Sequence, residues 1–328
     1  MEVPDLPQNI QAQLEARIVT GPDHFGGWEP EDVDFLSTYK AKLSDQEVVE
    51  GVIVDWLGSR TLSSNYPNVP GAAQGLVNSA LPIPTDGVHA NTIEYVALST
   101  AVDLASSSGS NRFSVLEVGA SYAPWATLAA LVAKRAGFDY VNCLAVEASE
   151  SAMQKINRHI ELNELDSLGG ICFESVNAAI SASDSVVYFP SVDTAEDNGG
   201  RVELEPVKKD YRGFEKEYVE VEGRSLASLL ARWDLCDFLH ADLQGFEAEL
   251  LRNDAFIATI CEKVRVFFLA TQTRLIEGIA LEVMSRNGWV LHRERPTMFK
   301  QNRVTDDPAG WTLADGGQIW LNSRYLSA

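Results

Sequence analysis

Cysteine is scarce in this chain and never forms a CxxC pair; Cys143, Cys172, Cys236 and Cys261 stand singly in apolar segments. That spacing excludes a zinc ribbon or a disulfide framework, and the four are expected as reduced core residues of a cytoplasmic protein. Long apolar runs are also missing. The most hydrophobic stretch, Ala126 to Ala133, stops at Lys134 and Arg135, well short of the roughly 20 residues that span a bilayer. The opening residues Met1-Glu2-Val3-Pro4-Asp5 lack the basic start and apolar run of an export signal. Positive charge is in deficit, with 26 Lys and Arg against 47 Asp and Glu and a formal net charge of -21. A field of that sign repels phosphate backbones and anionic lipid, so neither nucleic acid nor a membrane is expected as a partner. The excess acid is read mainly as a device for solubility.

What is present is an ordinary globular composition, 45% hydrophobic and 22% charged, in a chain of 328 residues, enough for a sizeable packed core. Residues 1–105 are mixed in character and read as a cap: helices are expected at Ile10 to Ile18 and Pro30 to Leu43, and a strand at Val52 to Trp56. A Pro-, Asn- and Gly-rich loop follows from Ser63 to Gly87, then a helix from His89 to Ala105. The rhythm changes in residues 106–328. Strands at Phe113 to Gly119, Tyr140 to Val146 and Ile171 to Val176 alternate with helices at Trp125 to Ala136 and Glu150 to Leu162, a βαβαβ series that demands a parallel sheet with crossover helices. Two-residue alternation between Ser185 and Glu222 predicts an antiparallel insertion. The α/β rhythm resumes with a helix at Ser225 to Arg232, a strand at Cys236 to Ala241, a helix at Gly245 to Arg252, a strand at Val264 to Leu269 and a helix at Arg274 to Arg286. Trp289 to His292 and Gly317 to Leu321 then suggest a closing antiparallel pair. The expected class is α/β, a doubly wound Rossmann-like sheet with an antiparallel insertion and a mixed N-terminal cap, in which ligands bind at the carboxyl ends of the strands.

The first βα turn, Gly119-Ala120-Ser121-Tyr122-Ala123-Pro124, argues against a dinucleotide, because glycine is missing at 121 and 124. The acid after the second strand, Glu147, also lies well beyond the spacing of about 20 residues that NAD sites show. Glu117, two positions before the glycine, suits a cationic ligand such as S-adenosylmethionine. Glu147 can accept from both hydroxyls of a ribose. Both acids can also be read as solvated strand ends.

Several separated segments resemble the FkbM family of methyltransferases, from about His89 to the C-terminus. The likeness is carried by Glu117-Val118-Gly119-Ala120 with Pro124-Trp125, by Val146-Glu147-Ala148, and by Asn177-Ala178-Ala179. Its most specific piece is Phe238-Leu239-His240-Ala241-Asp242-Leu243-Gln244-Gly245-Phe246-Glu247. The stretch His89 to Tyr95 and the ending Asp315-Gly316-Gly317-Gln318-Ile319-Trp320 are similar to segments of a subset of that family. His240 and Gln244 depart from it, standing where lysine and glutamate are usual. The resemblance implies an S-adenosylmethionine-dependent enzyme that O-methylates a small molecule such as a sugar or natural product, with homo-oligomers among its expected states. The donor would meet Glu117, Gly119, Ala120, Ser121, Tyr122, Glu147, Ala148, Asn177, Ala178 and Asp242.

Methyl transfer needs an acceptor lone pair aligned behind an activated methyl, exclusion of water, and removal of the acceptor's proton. Asp242 and His240, two apart on one strand face, are the candidate catalytic groups. Either can be the base, His240 can equally be a hydrogen-bonded strand residue, and Asp242 can cap the helix that follows. Asn91 and Glu94, with Thr271, Gln272 and Thr273 after the fifth strand, are candidates to line the acceptor pocket. Trp125 and Tyr122 either stack on the ligand or pack the helix on the sheet. No metal site is expected, because no further ligand pair accompanies the His-x-Asp.

Overall fold

The computed structural model of the protein describes residues 26–42, 48–65, 74–77, 91–191, 197 and 199–326. The helix expected at Ile10 to Ile18, and His89 and Ala90, lie outside the described residues. The elements run α1 (Pro30–Ser37), β1 (Val52–Val54), β2 (Arg60–Leu62), β3 (Leu76–Val77), α2 (Thr92–Ser107), β4 (Arg112–Val118), α3 (Pro124–Arg135), β5 (Tyr140–Glu147), α4 (Glu150–Leu162) and β6 (Ile171–Asn177). After β7 (Ala179–Ser181), β8 (Ser185–Pro190) and β9 (Tyr218–Ser225) come α5 (Leu226–Leu229), β10 (Cys236–Ala241), α6 (Glu247–Leu251), α7 (Asp254–Lys263), β11 (Val264–Thr271), α8 (Arg274–Arg286), β12 (Trp289–Arg295), β13 (Met298–Phe299), β14 (Thr312–Ala314) and β15 (Gly316–Asn322).

The main sheet has seven strands in the order β12-β15-β11-β10-β4-β5-β6. The pairs from β6 through β5, β4 and β10 to β11 are parallel, whereas β15 runs antiparallel between β11 and β12. Parallel strands need a crossover between each pair, and the helices that make the crossovers cover both faces. Neighbouring strand residues accordingly alternate between two cores. Phe113, Val115, Phe238, Val266 and Phe268 pack with α2, α3 and Ile156 of α4. Leu116, Leu144, Leu239, Phe267 and Leu269 face α5 to α8. Burial on both faces is why these strands read as nearly unbroken apolar runs.

Two polar contacts tie distant segments into this frame. Asp32 of α1 accepts from its own N-cap, Glu29 N–H, at 2.7 Å, and from Arg293 Nε of β12 at 2.8 Å. Within the sheet, Arg265 Nε of β11 donates to Asp237 Oδ1 of β10 at 3.0 Å, with both side chains buried.

Several expectations are corrected. Helix α1 ends at Ser37 rather than Leu43, and β3 forms within the stretch read as a loop. The insertion is a three-stranded sheet in which β8 is antiparallel to β9 but β7 is parallel to it, because the chain returns past β8 before pairing with β7. Cys172 is exposed, since β6 is an edge strand. No helix among the described residues is long and apolar enough to cross a membrane.

Candidate active site

From β4 the chain winds outward to β5 and β6, then returns to the other side of β4 for β10 and β11. The loops after β4 and β10 therefore leave in opposite directions, and a crevice must open between them. A cavity of about 520 Å³ lies there.

The β4–α3 loop forms its floor. Gly119 has φ +71, and a Cβ at that position would lie 2.1 Å from the Asp242 carbonyl oxygen, so the approach of the β4 and β10 ends requires glycine. Ser121 and Ala123 also take left-handed φ, 50 and 59. Alternate residues of the loop thus adopt the conformation that a run of spaced glycines would supply, at a cost of roughly 1 kcal/mol each. The left-handed turn at Ala123 aims the first N–H groups of α3 back at the end of β4. Trp125 N–H donates to Glu117 Oε1 at 3.2 Å and Ala126 N–H to Oε2 at 2.7 Å. Glu117 is 1% exposed, and burial pushes its carboxyl up to about 8 despite the two backbone donors. It is not a solvated strand end.

Glu147, at the end of β5, is also buried and accepts from Ser121 N–H and Ser149 N–H, each at 2.7 Å. Burial raises its pKa, and those backbone donors work against the rise. Two acids thus hold the loops on either side of the crevice, and each oxygen keeps a lone pair for a ligand. Ala120, Ala148, Ala178 and Ala179 leave room along the wall between them.

At the end of β10, the His240 ring lies between Trp125 and Phe268, with centroids 5.2 Å and 4.9 Å away and interplanar angles of 22° and 16°. Its Nε2 lies 3.1 Å from Glu94 Oε2, and Nδ1 has no partner among the described residues. Glu94 Oε1 meanwhile accepts from Asn91 N–H at 3.0 Å, closing a capping box at the start of α2. Asp242 Oδ1 accepts from both Gln244 Nε2 and Gln272 Nε2, each at 2.9 Å. Burial first, then the nearby Asp315 carboxylate, push Asp242 up to about 7. Glu247 accepts from Leu243 N–H at 2.6 Å and Gly245 N–H at 2.8 Å, which fixes the loop that carries Gln244.

The crevice brings together Glu117, Gly119, Ala120, Ser121, Tyr122, Trp125, Glu147, Ala148, Ala178, Asn91, Glu94, His240 and Asp242. Four candidates fall outside its lining. Asn177 instead donates to the Glu147 and Ala148 carbonyls at 3.0 Å and 3.1 Å. Thr271 is sealed against Thr297 Oγ1 at 3.0 Å. Gln272 reaches Asp242 from a neighbouring cavity. Thr273 caps α8, accepting from Ile276 N–H at 3.2 Å. Trp125 packs edge-on against Tyr95 at 5.2 Å as well as over His240. Sequence reasoning missed Asp315 and the insertion's Asp197, which also line the crevice, and the tethers made by Gln244 and Glu247. For Glu247 the signal was legible as an acid placed to bind its own loop's N–H groups. Asp315 opened a segment that carried the family resemblance but was not assigned to the site, and Asp197 had no signal.

No protein-family model matches the chain. It is 26% identical over 255 residues to a protein of Jannaschia sp. (strain CCS1) provisionally named a methyltransferase, across 76% of this chain and 85% of the relative. Among solved structures, precorrin-6y C5,15-methyltransferase from Geobacter metallireducens GS-15 matches with a TM-score of 0.37 at 10% identity, over 74% of this chain and 91% of that one. The N-terminal domain of human METTL16 in complex with SAH matches at 0.36 and 10%, over 71% and 72%. Sequence kinship with a protein provisionally named a methyltransferase, on a mostly parallel α/β sheet with its crevice at the switch point, supports reading this chain as a methyltransferase.

The expectation that nucleic acid is no partner is overturned. Structures of similar fold include Sp1610 of Streptococcus pneumoniae, provisionally described as a tRNA (m1A22) methyltransferase, with a TM-score of 0.31 and 11% identity over 67% of this chain and 68% of that one. The physical error lay in reading a local property from a global sum, because a net charge of -21 does not fix the potential at any one surface or cavity.

Proposed function

We propose that the protein is a cytoplasmic FkbM-like enzyme that transfers the methyl group of S-adenosylmethionine to an oxygen of a small molecule. The observation that carries this reading is the pair of buried acids, Glu117 and Glu147, flanking one crevice whose wall is built of alanines. The residues fit the donor. Glu117, with Asp242 and Glu94 nearby, gives the inner end carboxyl groups that a bound ammonium and sulfonium would draw into the ionised form, and Glu147 offers two oxygens to a pair of ribose hydroxyls. The small side chains admit a flat base. Four unpaired cysteines support the cytoplasmic location.

When bound, the donor supplies a methyl group already activated by a positively charged sulfur. The chain's own residues then position and deprotonate. Asp242 is the better proton acceptor, since its carboxyl sits near 7, where an acceptor of protons works best at neutral pH. The two amides on Oδ1 fix its orientation. His240 is covered on both ring faces and tied to Glu94, which suits a positioning residue that holds the α2 start against the sheet. Titration calorimetry with S-adenosylhomocysteine and NAD side by side tests the reading, followed by radiolabelled methyl transfer to extracts of the source organism. Binding of the first ligand and not the second is expected; the reverse preference refutes the proposal.

A further inference from the structure

Beside the donor crevice lies a second cavity of about 370 Å³, lined by residues including Tyr211, Phe214, Asn302 and Leu313. Gln244 and Asp315 line both cavities, so these two side chains form part of the partition between them, next to Asp242. Three features give the second cavity a chemical character. Gln272, 1% exposed and on its wall, donates to Asp242 through Nε2 while its Oε1 has no partner among the described residues. A buried amide oxygen left unpaired is costly, and a donor hydroxyl on a ligand would remove that cost. Gln244 is held in one orientation, its Oε1 accepting from Tyr211 O–H at 3.0 Å while its Nε2 faces Asp242. Arg212, also on the wall, is committed to Asp197 at 2.6 Å and Asp210 at 2.7 Å and offers no spare positive charge. The mouth is apolar, with Phe214, Val304 and Leu313 exposed.

We infer that this second cavity holds the methyl acceptor, a neutral, hydroxyl-bearing, ring-sized group whose reacting oxygen passes between Gln244 and Asp315 to reach Asp242. The inference rests on the methyltransferase reading and adds to it a separate acceptor chamber with Gln272 as its specificity-determining residue. The acceptor oxygen forms a bond to the methyl carbon as the carbon–sulfur bond breaks with its electron pair staying on sulfur. The hydroxyl proton goes to the Asp242 carboxylate, and methyl ether and S-adenosylhomocysteine are left.

The test needs no knowledge of the natural acceptor. The probe is the sulfonium analogue of the donor in which 3-hydroxypropyl replaces methyl, so that the chain extends from sulfur along the path assigned to the acceptor. Calorimetry compares it, and its plain propyl counterpart, with S-adenosylhomocysteine on the wild type, on Ala314→Phe, which narrows the second cavity, and on Gln272→Met, which keeps volume but removes the amide. The wild type is expected to bind the probe within about tenfold of S-adenosylhomocysteine. Ala314→Phe should weaken the probe at least about tenfold while moving the S-adenosylhomocysteine Kd less than about twofold. Gln272→Met should lower the preference for hydroxypropyl over a plain propyl chain. Retention of S-adenosylhomocysteine affinity shows that each variant is folded. An unchanged probe-to-product ratio in both variants overturns the inference, as does a wild type that binds S-adenosylhomocysteine but rejects the probe by more than about 100-fold. Failure of the wild type to bind S-adenosylhomocysteine instead refutes the donor assignment itself.

Discussion

Donor affinity should rise steeply with pH between 6 and 8, because the acid at the inner end of the crevice is protonated in the free protein. Burial holds the Glu117 carboxyl at about 8, where bulk water would leave it near 4.5. A bound ammonium favours the ionised form, so binding expels a proton wherever the free protein carries one. The sign follows from the direction of the shift: raising pH removes the proton beforehand and binding tightens, until pH passes the raised pKa and the dependence flattens. With a pKa near 8 the ionised fraction is about one in a hundred at pH 6 and one half at pH 8. Glu117 alone then contributes about 50-fold, roughly 2.3 kcal/mol. Above about pH 8 the donor's own amine starts to lose its proton, which sets the upper limit of the window. Calorimetry in buffers of differing ionisation enthalpy measures both Kd and the protons released. The wild type should release close to one proton at pH 7, and Glu117→Gln should bind weakly with a flattened profile. A wild-type Kd that changes less than about threefold from pH 6 to 8, with no proton release, refutes the reasoning.

Glu117, Asp242 and Glu247 all have raised pKa values, at about 8, 7 and 8, so between pH 5 and 8 the folded state holds protons that the unfolded chain has lost. The ligand-free protein should therefore lose thermal stability as pH rises through that window, and thermal melts that are flat or climb with pH contradict this. Gly119→Ala, with its Cβ 2.1 Å from the Asp242 carbonyl and a φ of +71, should cost more than about 3 kcal/mol in urea unfolding or prevent folding. Ser121→Gly and Ala123→Gly, at φ 50 and 59, should be neutral or stabilising by up to about 1 kcal/mol. Arg265→Met leaves Asp237 buried without its cation and should cost about 3 to 5 kcal/mol, whereas replacing both members by apolar residues should cost far less.

The parallel strands were legible because burial on both faces writes an apolar run into each. Cys236–Ala241, Glu150–Leu162 and Arg274–Arg286 were read with the bounds the structure shows. Helix α7 was missed; its N-cap Asn253, which accepts from Phe256 N–H at 2.8 Å, sits two residues beyond α6 and made two short helices look like one followed by a loop. Glu117 and Glu147 were legible from their places at strand ends. The left-handed turns at Ser121 and Ala123 were hidden, because residues other than glycine carry them and surrounding contacts supply the strain energy. Asp315 and the Gln272 amide come to Asp242 by the antiparallel return of β15 and the parallel placing of β11, pairings that no local pattern encodes.

A crystal structure with S-adenosylhomocysteine bound tests the central claim most directly. The account predicts the ribose hydroxyls within hydrogen-bonding distance of Glu147, the amino group at the Glu117 end, and the sulfur facing Asp242. Density for the ligand elsewhere, or in the crevice with neither acid touching it, contradicts the account.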